Sequence, residues 1–138
     1  MNRQLIQSVA EKAAVELGYT PTPYQLRHQA LLTHHLPLMA IHPPRLVGIE
    51  GEKRREELYE VEIILMKESG LDGEQRMAAF DAVAADIAPL LAAIKYHPRV
   101  LSLSGVEASQ LQRPVTVAGE ASVALKMTIR LIADCGAE

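Results

Sequence analysis

The chain has 138 residues, enough for one domain with a buried core, which we assign to residues 1–138. Apolar residues make up 49% and charged residues 22%, as in ordinary globular proteins, and the core must be aliphatic because there is no Trp and one Phe. A net charge of −3 argues against a specific nucleic-acid-binding module, because phosphate contacts need a concentrated basic face.

The single cysteine, Cys135, excludes an internal disulfide and a cysteine-only zinc site. A free thiol is typical of a reducing compartment. We see no signal peptide and no segment that approaches the length of a membrane span. The sequence therefore predicts a cytoplasmic protein without a membrane partner.

The first predicted element is a short amphipathic helix over residues 3–17. Its apolar residues recur every four positions, as on one face of a helix. They are Leu5, Val9, Ala13 and Leu17. Gly18 follows the last of them and is a typical helix-terminating residue.

The next segment is punctuated by prolines. Residues 20–23, with two prolines, predict an extended connector. Residues 24–35 fit a helical turn and a strand equally well, and both interpretations stay open. Residues 36–41 predict a strand at a sheet edge, because Pro37 cannot donate to a central ladder.

A charged loop is predicted over residues 45–57, and a strand follows over residues 58–67. In that strand the apolar side chains alternate with Glu60 and Glu62, as expected for a half-buried strand. The apolar set on one side is Val61, Ile63 and Leu65.

The main helix is predicted to begin after Asp72, which with Gln75 matches a capping-box pattern. A continuous apolar stripe follows. It consists of Met77, Phe80, Val83, Ala84, Ile87, Leu90, Leu91 and Ile94. Pro89 lies within this pattern and should kink the helix or end it one turn early.

Residues 100–107 predict a further strand, residues 108–120 a long connector, and residues 121–132 a long final strand with one apolar face. That face consists of Val123, Leu125, Met127, Ile129 and Leu131. The predicted fold is α+β, an antiparallel four-stranded sheet with one long helix packed on one face and a short N-terminal helix. The predicted element order is α-β-β-α-β-β.

No constellation of residues predicts catalysis. The five histidines, at positions 28, 34, 35, 42 and 97, have no zinc-ligand spacing. Glu60 and Glu62 share a strand face, but a solvated face carries such pairs routinely. The sequence contains no phosphate-binding glycine loop and no nucleophile elbow. We therefore predict a protein that is not an enzyme and that has no metal or cofactor. We assign no role to His28, His34, His35 or His42.

Two long segments, residues 43–57 and residues 108–120, stand out between predicted strands. Loops of this length in a compact domain are usually functional or disordered. The second carries apolar residues that have no obvious core to enter. Two interpretations stay open here, a simple hairpin extension and a partner surface.

Three stretches together resemble the tail-terminator and related neck or tail-completion proteins of long-tailed phages and prophages. The first is residues 38–44 with the charged loop after it, and the second is residues 59–66 leading to the helix at 73–95. The third is the closing strand at 121–133 after a long connector. The likeness covers nearly the whole chain as a pattern of elements, not as a signature of single residues.

The resemblance implies a ring, possibly a hexamer, that caps the tail tube, docks to the head-completion complex, and passes from the host cytoplasm to the virion tail. Its partners would be further copies of itself and other phage tail or neck proteins. The loop residues implied to face the pore or a neighbouring subunit are Arg45, Glu50, Glu52, Lys53, Arg54 and Arg55. Those implied for an inter-subunit hairpin are Leu111, Arg113, Val115 and Val117.

A second hypothesis is a small-molecule or peptide-binding α+β module with a pocket between the helix at 73–95 and the sheet. The stripe on that helix separates the two hypotheses. A stripe fully buried by the sheet leaves no pocket, and a stripe that is partly uncovered leaves room for a ligand.

Overall fold

The protein, represented by a computed structural model, is described over residues 2–23, 37–50, 55–69, 72–110 and 120–132. Its helical segments are α1 (Asn2–Glu16), α2 (Gly73–Ala85) and α3 (Ile87–Lys95). Its strands are β1 (Thr20–Pro23), β2 (Leu38–Ile41), β3 (Arg45–Glu50), β4 (Glu56–Lys67), β5 (Val100–Gln110) and β6 (Ala121–Ile132).

All six strands belong to one mixed sheet, in the order β1-β2-β4-β6-β5, with β3 also paired to β4. The pair β1–β2 is parallel, and every other pair is antiparallel. β2 pairs with Ile63–Met66 of β4, and β3 pairs with Glu56–Glu60 of the same strand. β2 and β3 therefore lie end to end along one side of β4, with Pro43 and Pro44 between them.

The chain is an α+β protein, but the predicted four-stranded antiparallel sheet and the order α-β-β-α-β-β are wrong. The structure adds β1, where we expected a connector, and β3, where we expected a loop. β2 is also not an edge strand, because it lies between β1 and β4.

Both additional strands were concealed by residues that usually oppose strand formation. In β1 the prolines are tolerated because the strand lies at the edge of the sheet. In β3 the glycine, Gly48, lies at a register shift in the pairing with β4, where a bulge suits it. The charged ends of β3, Arg45 and Glu50, bond across the sheet to Glu60 and Arg130.

The centre of the sheet is the pairing of β4 with β6, which runs without interruption from Glu56↔Ile132 to Lys67↔Ala121. The predicted apolar face of the final strand is confirmed, with each member at most 4% exposed. The helices pack against this face, and their buried residues join it in one core. The final strand is thus the middle of the sheet, between β4 and β5, and does not close it.

The predicted main helix is interrupted at Asp86, so α2 and α3 replace one long helix. Its predicted start is confirmed, because the Asp72 side chain accepts a hydrogen bond of 2.8 Å from the backbone of Gln75. Pro89 accounts for the interruption. It has no N–H to donate one turn back, and its ring would clash with the carbonyl there. In the first turn of α3 neither restriction matters.

The opposite face of the sheet is divided into two halves. Around β2 it is apolar, and Leu38, Ala40, Ile64 and Met66 are buried there in a second cluster. Around β3 the same face carries charged side chains. The boundary falls where Pro43 and Pro44 separate the two strands that run along β4.

Candidate functional site

The charged half of this sheet face is the densest group of ionisable side chains that we describe. We call it the charged face. It consists of Arg45, Glu50, Glu56, Glu60, Glu62, Glu107, Lys126 and Arg130. On β4 and β6 these residues alternate with the buried residues of the core. Carboxylates outnumber cations, so the surface is weakly acidic.

Arg130 connects three strands on the charged face. Its Nη1 donates to Glu56 Oε1 at 2.8 Å and to Glu50 Oε1 at 3.0 Å. The hydrogen bonds to Glu56 and Glu50 raise the pKa of the Arg130 guanidinium. β3 is therefore joined to β4 and β6 by side chains as well as by its ladder.

Arg45 makes the matching contact at the other end of β3, where its guanidinium donates to Glu60. This hydrogen bond and the positive charge of Arg45 lower the pKa of the Glu60 carboxyl. Both partners are exposed, with side-chain accessibilities of 70% and 49%, so the pair fixes geometry more than it adds stability.

A shallow cleft of about 450 Å³ lies beside this pair and is lined by the Pro43-Pro44 turn and the charged face. In it His42 Nδ1 is 3.8 Å from Glu62 Oε1. Within the described ranges, no group of three or more His, Cys, Asp or Glu side chains is arranged to hold a metal ion. His28, His34 and His35 lie outside those ranges.

The sheet ends in two unlike edges. Among the strands that the structure describes, β5 pairs only with β6, and β3 pairs only with β4. β3 exposes Leu46 and Val47 at 47% and Ile49 at 52%, which is unusual for apolar side chains on so short a strand. On β5 the exposed apolar residue is Val106, at 42%. Apolar side chains on an open edge are typical of a surface that accepts another strand.

On the same side of β4 as β3, the outermost strand beside β2 is β1. The backbone N–H of Thr20 donates to the carbonyl of Pro37 at 2.9 Å, so Thr20 faces β2. Backbone groups alternate in direction along a strand, so the N–H and C=O groups of Thr22 also point towards β2. The backbone groups of Pro21 and Pro23 point away from β2, towards the outer edge. Proline has no N–H, so the outer edge of β1 offers no donors to a further strand.

The predicted contact residues divide into two groups. Arg45 and Glu50 lie at the two ends of β3 on the charged face, in a strand instead of the predicted loop. Arg55 lies just before β4, with its Nη2 3.9 Å from Glu57 Oε2. The remaining predicted contacts, Glu52, Lys53, Arg54, Leu111, Arg113, Val115 and Val117, lie outside the described residues.

Sequence reasoning missed the apolar residues of β3, because charged neighbours on both sides suggested a solvated loop. The signal was present in the stretch Leu46-Val47-Gly48-Ile49, where aliphatic residues, two of them β-branched, surround a glycine. β-Branched residues favour strands, and an isolated glycine among them suggests a bulge.

A second cleft, of about 750 Å³, lies between α1 and α3 and is mainly apolar. It is lined by Val9, Lys12, Ala13, Glu16, Pro89, Ala92, Ala93, Tyr96, His97 and Pro98. It lies between helices and not between a helix and the sheet, where Val83, Leu90 and Ile94 are buried. The stripe is partly uncovered, with Met77 (68%) and Ala84 exposed, but neither of these residues lines the cleft.

By length and composition alone, Gly73–Lys95 is long and apolar enough to cross a membrane, contrary to the expectation from sequence. This is weak support for a membrane segment, because core helices meet the same criterion. Here the stretch is interrupted at Asp86. Its Val83, Leu90 and Ile94 side chains are part of the protein core, whereas most of its other residues are exposed or half-buried.

No family model matches the chain, and no curated protein matches it. Among solved structures, the chain shows a weak structural similarity to the type 4 fimbrial biogenesis protein PilO from Pseudomonas aeruginosa. The TM-score is 0.45 and the sequence identity 8%, over 93% of this chain and 67% of that chain. A likeness at this level carries no argument about function.

Proposed function

We propose that this chain is a non-catalytic structural component of a phage or prophage tail. In this proposal it is a tail-terminator-like subunit that forms a ring, caps the tail tube and docks to the head-completion complex. The observation that supports the proposal concerns two strands on opposite sides of one sheet, β3 and β5, each of which pairs on one side only among the described residues.

Unlike edges favour a head-to-tail contact. A two-fold dimer uses the same surface on both copies, whereas two different surfaces on opposite sides join each copy to the next. Such a contact closes into a ring when a whole number of copies, each rotated by the same angle from the last, completes one full turn. The sheet of this chain supplies one such surface at β3 and one at β5.

The two faces of the sheet suit the two sides of a ring. The helical layer is the bulkier side and fits the outer, convex surface. The charged face then lines the channel. Its weakly acidic character suits a passage for DNA, because an excess of carboxylates prevents tight binding to the phosphate backbone.

The residues predicted for loop contacts take different parts in this proposal. Arg45 and Glu50 belong to the channel-facing side of β3. Arg55 and the contacts outside the described residues remain predicted sites for neighbouring subunits and other tail or neck proteins. The subunit would be made in the host cytoplasm and end in the virion tail.

The test is the solution mass, measured by light scattering after size exclusion over a concentration series. We expect a discrete ring, with a hexamer as the first expectation. Ile49→Lys should shift the mass to that of a monomer, because it places a charge on the open edge. The matched control is Met77→Lys, on α2 and away from both edges, where the side chain is 68% exposed against 52% for Ile49, and it should keep the ring. A monomer at every concentration would contradict the proposal.

A further inference from the structure

We propose that copies of this chain join by strand addition, with the first half of β5 in one copy pairing antiparallel to β3 in the next. This inference rests on the proposed ring and names the contact that builds it. It assigns the main contact to two described strands instead of the predicted inter-subunit hairpin with Leu111, Arg113, Val115 and Val117.

Strand direction supports this pairing. β3 and β6 both run antiparallel to β4, and β5 runs antiparallel to β6. β5 therefore runs parallel to β4 and opposite to β3. When a copy is repeated sideways without being inverted, its β3 meets the neighbour's β5 in antiparallel orientation, the more stable of the two pairings.

The two open strands also lie at the same level. Leu46 pairs with Tyr59, which pairs with Ile129, which pairs with Leu103. The next row runs from Arg45 through Glu60 and Thr128 to Ser104. A sideways repeat without stagger therefore places Leu103 of one copy beside Leu46 of the next, and Ser104 beside Arg45.

The side chains in these rows are complementary. Leu46 is on the sheet face that carries the helices, since its partner Tyr59 is buried there, and Leu103 packs against the same core. Their contact would extend that core across the subunit boundary and cover apolar surface that is exposed in a single copy. On the other face, the Ser104 hydroxyl meets the end of β3 beside Arg45.

The second half of β5 stays paired with β6 and lies level with β1, which extends one strand further out than β3, so neighbouring copies must diverge at this end of the sheet. β5 cannot pair with β1 there, because β1 offers no outward donors. β5 changes register at this point, between Ser104 and Glu107. Gly105, with φ of +59°, lies within the shift. A bulge bends its strand. The bend thus separates the part of β5 that faces β3 from the part that would meet β1.

This pairing sets the size of the channel. At this level each copy contributes the strands β3, β4, β6 and β5, or about 19 Å of sheet at about 4.8 Å per strand. A closed hexamer would then measure about 115 Å around and about 37 Å between facing backbones. A channel of this width leaves room for a DNA duplex.

The experiment is disulfide trapping in a Cys135→Ser background, with Arg45→Cys and Ser104→Cys made separately and together. Directly opposed residues in an antiparallel pair are close enough for a disulfide. We expect covalent dimers when the two single variants are mixed, and no covalent dimers from either one alone. The double variant should give a ladder of oligomers that ends at the ring. The control for the register combines Arg45→Cys with Glu107→Cys, which is not opposite Arg45 in the proposed pairing. This variant should give no ladder.

Four outcomes would overturn the pairing. Covalent dimers from Ser104→Cys alone would indicate a two-fold contact between two β5 strands. A ladder from Glu107→Cys with Arg45→Cys would indicate another register. An intact ring mass without any Arg45–Ser104 disulfide would reject the pairing and leave the ring proposal standing, whereas a monomeric mass would reject both.

Discussion

The phenol of Tyr19 donates a 2.6 Å hydrogen bond to the carboxylate of Asp86, the residue at which α2 ends and α3 begins. Lys67 Nζ lies 3.0 Å from the same carboxylate oxygen and 5.5 Å from the centroid of the Tyr19 ring. Burial, and then the hydrogen bond to Asp86, raise the pKa of the Tyr19 phenol. These three side chains connect the end of α1, the end of β4 and the interruption between the helices.

Replacement of Asp86 should therefore destabilise the fold. In Asp86→Ala the buried Tyr19 hydroxyl and the Lys67 ammonium lose their shared acceptor, at a cost of about 2 kcal/mol. The matched control is Asp81→Ala, an exposed aspartate on α2, which should change stability by less than about 0.5 kcal/mol. Urea unfolding measures both. Equal midpoints for the two variants would contradict the role assigned to Asp86.

Tyr59 should make the protein sensitive to alkaline pH. Burial, followed by the hydrogen bond and charge of Glu57, raises the pKa of Tyr59 from 10.0 to about 12. The folded state thus holds this proton more tightly than the unfolded state. The resulting stabilisation is complete below pH 10 and is lost as the pH rises towards about 12.

Tyr59→Phe tests this dependence. The variant should lose about 1 kcal/mol near neutral pH through the missing hydrogen bond, and its stability should fall less steeply above pH 10. Tyr96→Phe is the control, because Tyr96 is 90% exposed and should leave the profile unchanged. The measurement is the urea midpoint as a function of pH. An unchanged alkaline slope in Tyr59→Phe would count against the assignment.

Gly105 and Gly73 should respond in opposite directions to substitution by alanine. Gly105 has a positive φ, and Thr128 Oγ1, 4.0 Å away, is the nearest atom to an added Cβ. The cost of Gly105→Ala is therefore conformational, about 1 kcal/mol. Gly73 begins α2 with open space around it, so Gly73→Ala should be neutral or slightly stabilising. Thermal unfolding distinguishes them, and a neutral Gly105→Ala would remove the argument for a fixed bend in β5.

Arg130 should hold β3 in place more than it stabilises the whole domain. Because its ion pairs are partly exposed, Arg130→Ala should reduce the stability of the domain only slightly. Hydrogen exchange of the β3 amides should nevertheless become faster, because Glu50 loses its link to β6. Lys126→Ala is the control, since Lys126 lies opposite Glu62 and Glu107, away from β3. Equal exchange in both variants would show that the ladder alone holds β3.

Local patterns predicted the parts of the fold that depend on local physics. The alternation over residues 121–132 and the Asp72 cap were correct, because a two-residue period and a capping side chain need no distant partner. β1 and β3 were missed because their stability comes from pairing with residues far along the chain. The interruption of the helix followed from Pro89, whose effect is also local.

The candidate surfaces were predicted only in part. Arg45 and Glu50 were predicted as contact residues on a loop, and the structure places them at the two ends of β3. Their position at the ends of a strand depends on Glu60 and Arg130, which come from β4 and β6. The sequence also could not predict that β1 lacks outward donors. This depends on the direction of the Thr20 backbone N–H, which points towards β2.

Pro21 and Pro23 also bear on how a newly made copy avoids the wrong associations. Fibrillar aggregates grow when long, flat strand edges recruit identical segments from other chains. On this side of the sheet, the edge that can recruit is reduced to the six residues of β3, which are interrupted by a bulge. An edge this short and bent can form few backbone hydrogen bonds with an unfolded segment of another chain. The prolines of β1 therefore shorten the edge on which amyloid-like growth could begin.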